Sequence, residues 1–208
     1  MSRTTRTPGT GPGAVTVAAA CLAVVALLGC WKPARPGSPP TKLETPRDIQ
    51  GVPCTGYASF AADGHLTSCV LAREHAFGPI VLPAESWVQL RADGSPESVL
   101  LRTSTPAMLD GHRCRGGSGG WAASFHPNGR LRSCYIVGDE IIDDVPCQHG
   151  SFRGEATGGV VVRFHDNGRL ASCRLFADVT IAGRTYKKGD RVTLDPAGNV
   201  VPADATAR

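Results

Sequence analysis

Aromatic residues make up only 6% of this 208-residue chain, charged residues only 19%, and the formal net charge is a slight +4. So weak a balance argues against a nucleic-acid surface. No apolar run reaches the roughly 20 residues that a spanning helix needs; the longest, Ala14 to Leu28, is about 15. No Cys-x-x-Cys and no paired-histidine spacing occurs, so zinc has no recognisable ligand set. No window of 11 to 18 residues carries a helical period, and prolines interrupt most candidates, which removes helical bundles. What the chain does hold is turn chemistry: 25 Gly and 16 Pro, together with 8 Cys.

Arg3 and Arg6 precede the apolar run, which ends in Leu27-Leu28-Gly29-Cys30. A basic start, a short apolar stretch and a small residue before the cut read as a secretory signal. The tetrapeptide resembles the lipobox of bacterial lipoproteins. That resemblance implies cleavage after Gly29, a diacylglyceryl group on the Cys30 thiol, and attachment to the membrane through lipid. Residues 1–29 are then signal peptide, and Cys21 leaves with them. Trp31 stands where an Asp would mark retention in the inner membrane, so the same resemblance favours the outer membrane where a cell has two. Residues 30–48 read as the lipidated cysteine and a tether, with Pro33, Pro36, Pro39, Pro40 and Pro46. Such segments run extended at about 3.1 Å per residue, a reach of roughly 50 Å. Without Arg3 and Arg6 the net charge falls to +2, which argues against anionic polymers as obligatory partners.

Beyond the tether the chain repeats. Phe60-Ala-Ala-Asp-Gly-His-Leu-Thr-Ser-Cys69, Phe125-His-Pro-Asn-Gly-Arg-Leu-Arg-Ser-Cys134 and Phe164-His-Asp-Asn-Gly-Arg-Leu-Ala-Ser-Cys173 align without a gap. Two weaker copies follow the template, Leu90 to Val99 and Leu194 to Val200, and the anchor glycines are Gly64, Gly94, Gly129, Gly168 and Gly198. Asp-Gly or Asn-Gly supplies the positive φ of a tight turn, and the flanking residues alternate in character, which predicts β-hairpins. A second set of turns lies between the first: Ile49-Gln-Gly-Val52, Leu109-Asp-Gly-His112, Ile142-Asp-Asp-Val145 and Ile181-Ala-Gly-Arg184. The expected fold is all-β: an antiparallel meander of about ten strands and five degenerate hairpin repeats over residues 49–202, then a disordered tail at 203–208. The repeated module resembles the short hairpins of MORN-like proteins and MORN-like bacterial antitoxins. It is more literally similar to cysteine-containing hairpin-repeat lipoproteins of bacterial envelopes.

With Cys30 assigned to lipid, six cysteines remain: Cys54, Cys69, Cys114, Cys134, Cys147 and Cys173. In an exported chain they predict three disulfides. Each strong copy has one cysteine before its hairpin and one after, while the weak copies lack both. Loss in pairs predicts bonding in pairs: Cys54 with Cys69, Cys114 with Cys134, Cys147 with Cys173. Pairing between neighbouring repeats, such as Cys69 with Cys114, remains the alternative.

Three patterns invite chemistry. Gly116-Gly117-Ser118-Gly119-Gly120 matches Gly-x-Ser-x-Gly and resembles the nucleophile segment of chymotrypsin-like proteases, but a strand rather than a helix is expected to follow, and no base is recognisable nearby. His126 and His165 occupy equivalent positions beside their turns and, with His65, His75, His112 and His149, suggest a metal; on a strand-to-turn boundary such side chains ordinarily face water. Asp139, Glu140, Asp143 and Asp144 surround one turn, where a weak calcium site competes with simple turn chemistry. Trp87 and Trp121 are expected in the core. No cofactor and no nucleic-acid partner is expected. The reading that follows is a lipid-anchored envelope protein, a non-enzymatic structural or interaction module with an envelope protein as a possible partner. The alternative is a secreted hydrolase using Ser118 or a histidine metal site.

Overall fold

The computed structural model describes residues 39–117, 121–150 and 160–201, which leaves the signal, Cys30, Ser118 and the C-terminal tail outside the described residues. Among the described residues there is no helix, and ten strands form one antiparallel sheet. They are β1 (Thr41–Ile49), β2 (Val52–Phe60), β3 (Leu66–Leu71), β6 (Trp87–Leu90), β7 (Pro96–Leu101), β10 (Trp121–Phe125), β11 (Leu131–Cys134), β14 (Val162–Phe164), β15 (Leu170–Arg174) and β18 (Arg191–Thr193). Each pairs with its predecessor in this order, as a meander does. The missing numbers are four short hairpins: β4 (His75–Phe77) with β5 (Ile80–Leu82), β8 (Ala107–Leu109) with β9 (His112–Cys114), β12 (Glu140–Ile142) with β13 (Val145–Cys147), and β16 (Val179–Ile181) with β17 (Arg184–Tyr186).

The two sets of turns differ because their residues do. In the sheet turns only the glycine has positive φ, for example Gly64 at +86° and Gly129 at +83°. The Ala61 carbonyl accepts from Gly64 N–H at 2.9 Å while Ala61 N–H donates to the His65 carbonyl at 2.8 Å. This is a turn closed by a bulge, and the pairing register shifts beside it at Phe60, Leu90, Phe125 and Phe164. The Asp or Asn before the glycine therefore does not share the positive φ. It instead accepts the N–H two residues on, as Asn128 does from Arg130 at 3.0 Å and Asn167 from Arg169 at 3.0 Å. The second set are true two-residue turns with both residues at positive φ: Gln50 and Gly51, Asp110 and Gly111, Asp143 and Asp144, Ala182 and Gly183.

Side chains pointing to the inner face form a row in register, Ala58, Cys69, Val88, Val99 and Ala123, continued by Cys134 beside Val162 and Cys173 beside Val192. All are at most 2% exposed. The short hairpins cover this face with Leu82, Leu109, Ile142 and Val145, which join the same buried cluster. Alternation thus places one apolar face inward, and the inserted hairpins remove it from water.

The disulfides pair as the repeats predict: Cys54–Cys69, Cys114–Cys134 and Cys147–Cys173, with Cα–Cα distances of 5.7, 5.8 and 5.6 Å. The last two join a covering hairpin, through β9 and β13, to the sheet strands β11 and β15. β2 combines both parts: Ile49 pairs with Val52 at its start, and after a bulge Thr41 pairs with Ala58. The sheet accordingly begins at Thr41, inside the stretch expected as tether. Pro46 is accommodated there because β1 is an edge strand, bulged between Leu43 and Arg47.

Side chains lock three turns of the second set to the next sheet turn. Gln50 Oε1 accepts from Leu66 N–H at 3.0 Å, Asp110 Oδ2 from Leu131 N–H at 3.1 Å, and Asp143 Oδ2 from Leu170 N–H at 2.7 Å.

Candidate binding surface

The outer face of the sheet bears the partners of the buried row. Ser59, Ser68, Gln89, Ser98, Ser124, Ser133, Arg163, Ser172 and Thr193 stand opposite one another from β2 to β18. Four of these serines are the ninth residue of their copies, next to the inward Cys or Val. Period two puts that neighbour inside and the hydroxyl outside. Ser124 and Ser133 share a hydrogen bond of 2.7 Å, and Ser98 Oγ donates to Gln89 at 3.3 Å. Alongside runs a second, more apolar row, Thr55, Val70, Trp87, Leu100 and Ala122.

The far end of this face is cationic. Arg174 on β15 pairs directly with Arg191 on β18, and Arg163 on β14 pairs with Ser172, two residues from Arg174. Partial desolvation, then the like charges of Arg163 and Arg174, lower the pKa of Arg191. Arg132 leans the other way, its Nε donating to Ser124 Oγ at 3.2 Å.

Two clefts lie at the turn edge, around the β4–β5 tip. One cleft of about 280 Å³ is lined by residues that include His65, His75, Arg91 and Asp93. A neighbouring one lies between Pro79, Pro96, Pro127 and Asn128. Asp93 is held below the ordinary carboxylate range, chiefly by the Ser95 hydroxyl at 2.6 Å and then by the Ser95 N–H at 2.9 Å.

The residues that suggested catalysis or metal binding are dispersed. The Nε2 atoms of His126 and His165 do not face water as expected; they donate to the carbonyls of Phe164 and Leu194, each at 2.9 Å, in the following repeat. His112 stacks on Phe164 with centroids 4.5 Å apart and meets Glu140 at 3.2 Å. His149 meets Asp139 at 2.8 Å. Partial burial pushes the Asp139 carboxyl up, but the N–H and ring of His149 outweigh it and hold the carboxyl low. Asp143 is committed to Leu170 N–H, so the acidic quartet does not converge. Among the described residues no group of three His, Cys, Asp or Glu side chains is placed to hold a metal. Ser118 lies outside the described residues. Gly116 beside it has a packing reason, since a Cβ there would meet the Thr103 carbonyl oxygen at 2.2 Å.

Trp87 and Trp121 are half-buried rather than core residues. Trp87 belongs to the outer face, and Trp121 packs edge-on to Tyr135 at 5.1 Å beneath the Arg115 guanidinium at 4.6 Å. Sequence reasoning passed over the serine row and the arginine corner. The recurrent ninth-position Ser was the available signal for the first. No family model, no curated protein and no solved structure matches this chain.

Proposed function

We propose that this chain is a lipid-anchored envelope protein, held through Cys30, that acts as a non-enzymatic interaction module and engages its partner with the outer face of the sheet. The observation that carries the reading is the ordered outer face itself. A hydroxyl row and an apolar row run side by side across the sheet, while His126, His165 and Asp143 are spent on holding successive repeats together. Antiparallel repeats of this kind build extended surface from one short unit. Three buried cystines fit an oxidising compartment, which agrees with the signal and lipobox at the N-terminus. Where the cell has two membranes, Trp31 directs the protein to the outer one.

Radiolabelled palmitate tests the anchor: incorporation is expected in the native chain and absent from Cys30→Ala. Labelling that survives the substitution refutes the lipobox assignment. Ser98→Arg with Gln89→Arg tests the face. Loss of recovered envelope partners, with the cystines intact, is the expected result, and unchanged recovery argues against this face.

A further inference from the structure

We propose that the cleft between the Asp93 and Asn128 turns is a binding site for a primary alkylammonium group, carried by a lysine side chain of a partner protein or by a free polyamine. The proposal goes beyond the outer-face reading and does not depend on it. In four sheet turns an Asp or Asn accepts, through Oδ1, the N–H two residues on: Asp63 from His65, Asp93 from Ser95, Asn128 from Arg130 and Asn167 from Arg169. In the two asparagines the other atom of the group crosses to the next copy. Asn128 Nδ2 donates to the Asp166 carbonyl at 2.7 Å, and Asn167 Nδ2 to the Pro196 carbonyl at 2.9 Å. Asp93 has no donor with which to make this bond. Its Oδ1 anchors the turn in the same way, so Oδ2 takes the place of the amide nitrogen, and the carbonyl that corresponds to Asp166 is that of Pro127. Two acceptors then stand where the later junctions have a donor and an acceptor.

At this junction the structure opens into a cleft of about 360 Å³, with Phe77, Pro79, Ile80, Pro96 and Pro127 among its walls. Asp93 and Pro127 are both exposed, so a ligand can reach them. Among the described residues, Asp93 has no ion-pair partner and no N–H donates to the Pro127 carbonyl. The neighbouring Arg91 spends its donors on the Ser95 hydroxyl and on the carbonyls of Pro96 and Phe125. Asp63, the counterpart in the first copy, has the His65 ring nitrogen 4.0 Å away, whereas Ser95 stands in the place of that histidine beside Asp93. These acceptors select the ligand. Oδ1 already takes the Ser95 hydroxyl and N–H, so a guanidinium fork has no pair of open oxygens to grip. Among the described residues no third carboxylate or imidazole completes a metal site. An ammonium carries three N–H donors on one atom, enough for Oδ2 and the carbonyl together, and its methylene stem suits walls of proline.

The test is a chemical-shift titration of the isotope-labelled full chain, in non-ionic detergent at low salt, with acetyl-Gly-Lys-Gly-amide and separately with spermidine. Saturable shifts are expected at the amides of Gly94, Ser95 and Gly129, and none with the same peptide acetylated at its lysine Nζ. Tighter binding of the peptide assigns the ammonium to a partner protein and tighter binding of spermidine to a free polyamine; either result supports the site. Asp93→Ser keeps an acceptor for the Ser95 N–H but removes Oδ2, so it should weaken binding about tenfold or more. Asp63→Ser, the matched change in the first copy, should bind as the native chain does. Equal binding of the free and acetylated peptides, or of Asp93→Ser and the native chain, overturns the site. So does an absence of saturable shifts, which leaves only water between the two oxygens. The acetylation comparison uses the native chain and therefore stands even where Asp93→Ser fails to fold.

Discussion

Pro96 occupies the position where three other copies place a leucine whose N–H is taken by a turn side chain, and Gly78 occupies the position of that side chain. Donor and acceptor are missing together: proline has no N–H, and glycine has no oxygen to offer it. Both residues line the same cleft at the turn edge. The Phe77-Gly78-Pro79-Ile80 turn is thus a member of the second set, with Gly78 at φ +60° followed by proline.

The hydrogen bond from Leu170 N–H to Asp143 should accordingly carry stability that its Gly78 counterpart does not. Asp143→Ala is expected to cost about 1–3 kcal/mol, the range for leaving a buried donor unpaired, plus strain at a positive φ of 48°. Asp143→Asn keeps an acceptor and tolerates that backbone, so it should lose less. Gly78→Asp should gain nothing from this bond. Urea denaturation of the three variants checks the order.

Removal of any one cystine as a double alanine variant should cost about 3 kcal/mol, on the chain-entropy account of loops of this size. The spans of 15, 20 and 26 residues predict a slightly larger loss for Cys147–Cys173. Guanidinium midpoints measure it, and non-reducing peptide maps should show no peptide linking Cys69 to Cys114.

His165→Ala removes the donor that reaches the Leu194 carbonyl in the last copy. A global loss of about 1 kcal/mol is expected. Because neighbouring repeats contribute stability to one another, amide exchange should accelerate first in residues 191–201. Uniform acceleration across the sheet would contradict this local role.

Acid should weaken the turn edge. The Ser95 hydroxyl and N–H hold Asp93 low, and the Asn199 side chain and N–H, with other turn N–H groups, hold Asp195 low. A carboxyl depressed in the folded state stabilises fully above its unfolded value of about 3.9. That contribution disappears as pH falls through the lower folded value. The variant carrying Asp93→Asn and Asp195→Asn should be less stable than the native chain near neutrality, where both carboxylates contribute, and the two should converge below about pH 4, so that the variant shows the shallower loss, read by urea titration at several pH values.

Much of this architecture is written in local patterns. The meander and the two kinds of turn follow from residues within one copy, and the cystine pairing from comparing the copies that keep both cysteines with those that lack both. What escapes is set by the distance between copies. The acceptors of His126 and His165 lie 38 and 29 residues onward, and the three arginines become neighbours only through register. The Gly78-Pro79 turn escaped because it uses glycine and proline where its relatives use positive-φ pairs. β1 escaped because Pro46 reads as linker, although an edge strand admits it.

The ladder of in-register pairs also makes the protein's length adjustable. One copy adds two strands to the main sheet, roughly 10 Å of width at the usual strand spacing. It brings its own covering hairpin and its own connections to the next copy. A gene duplicating or deleting one such unit would change how broad a surface the cell displays while leaving every remaining strand with the neighbour it already knows how to recognise.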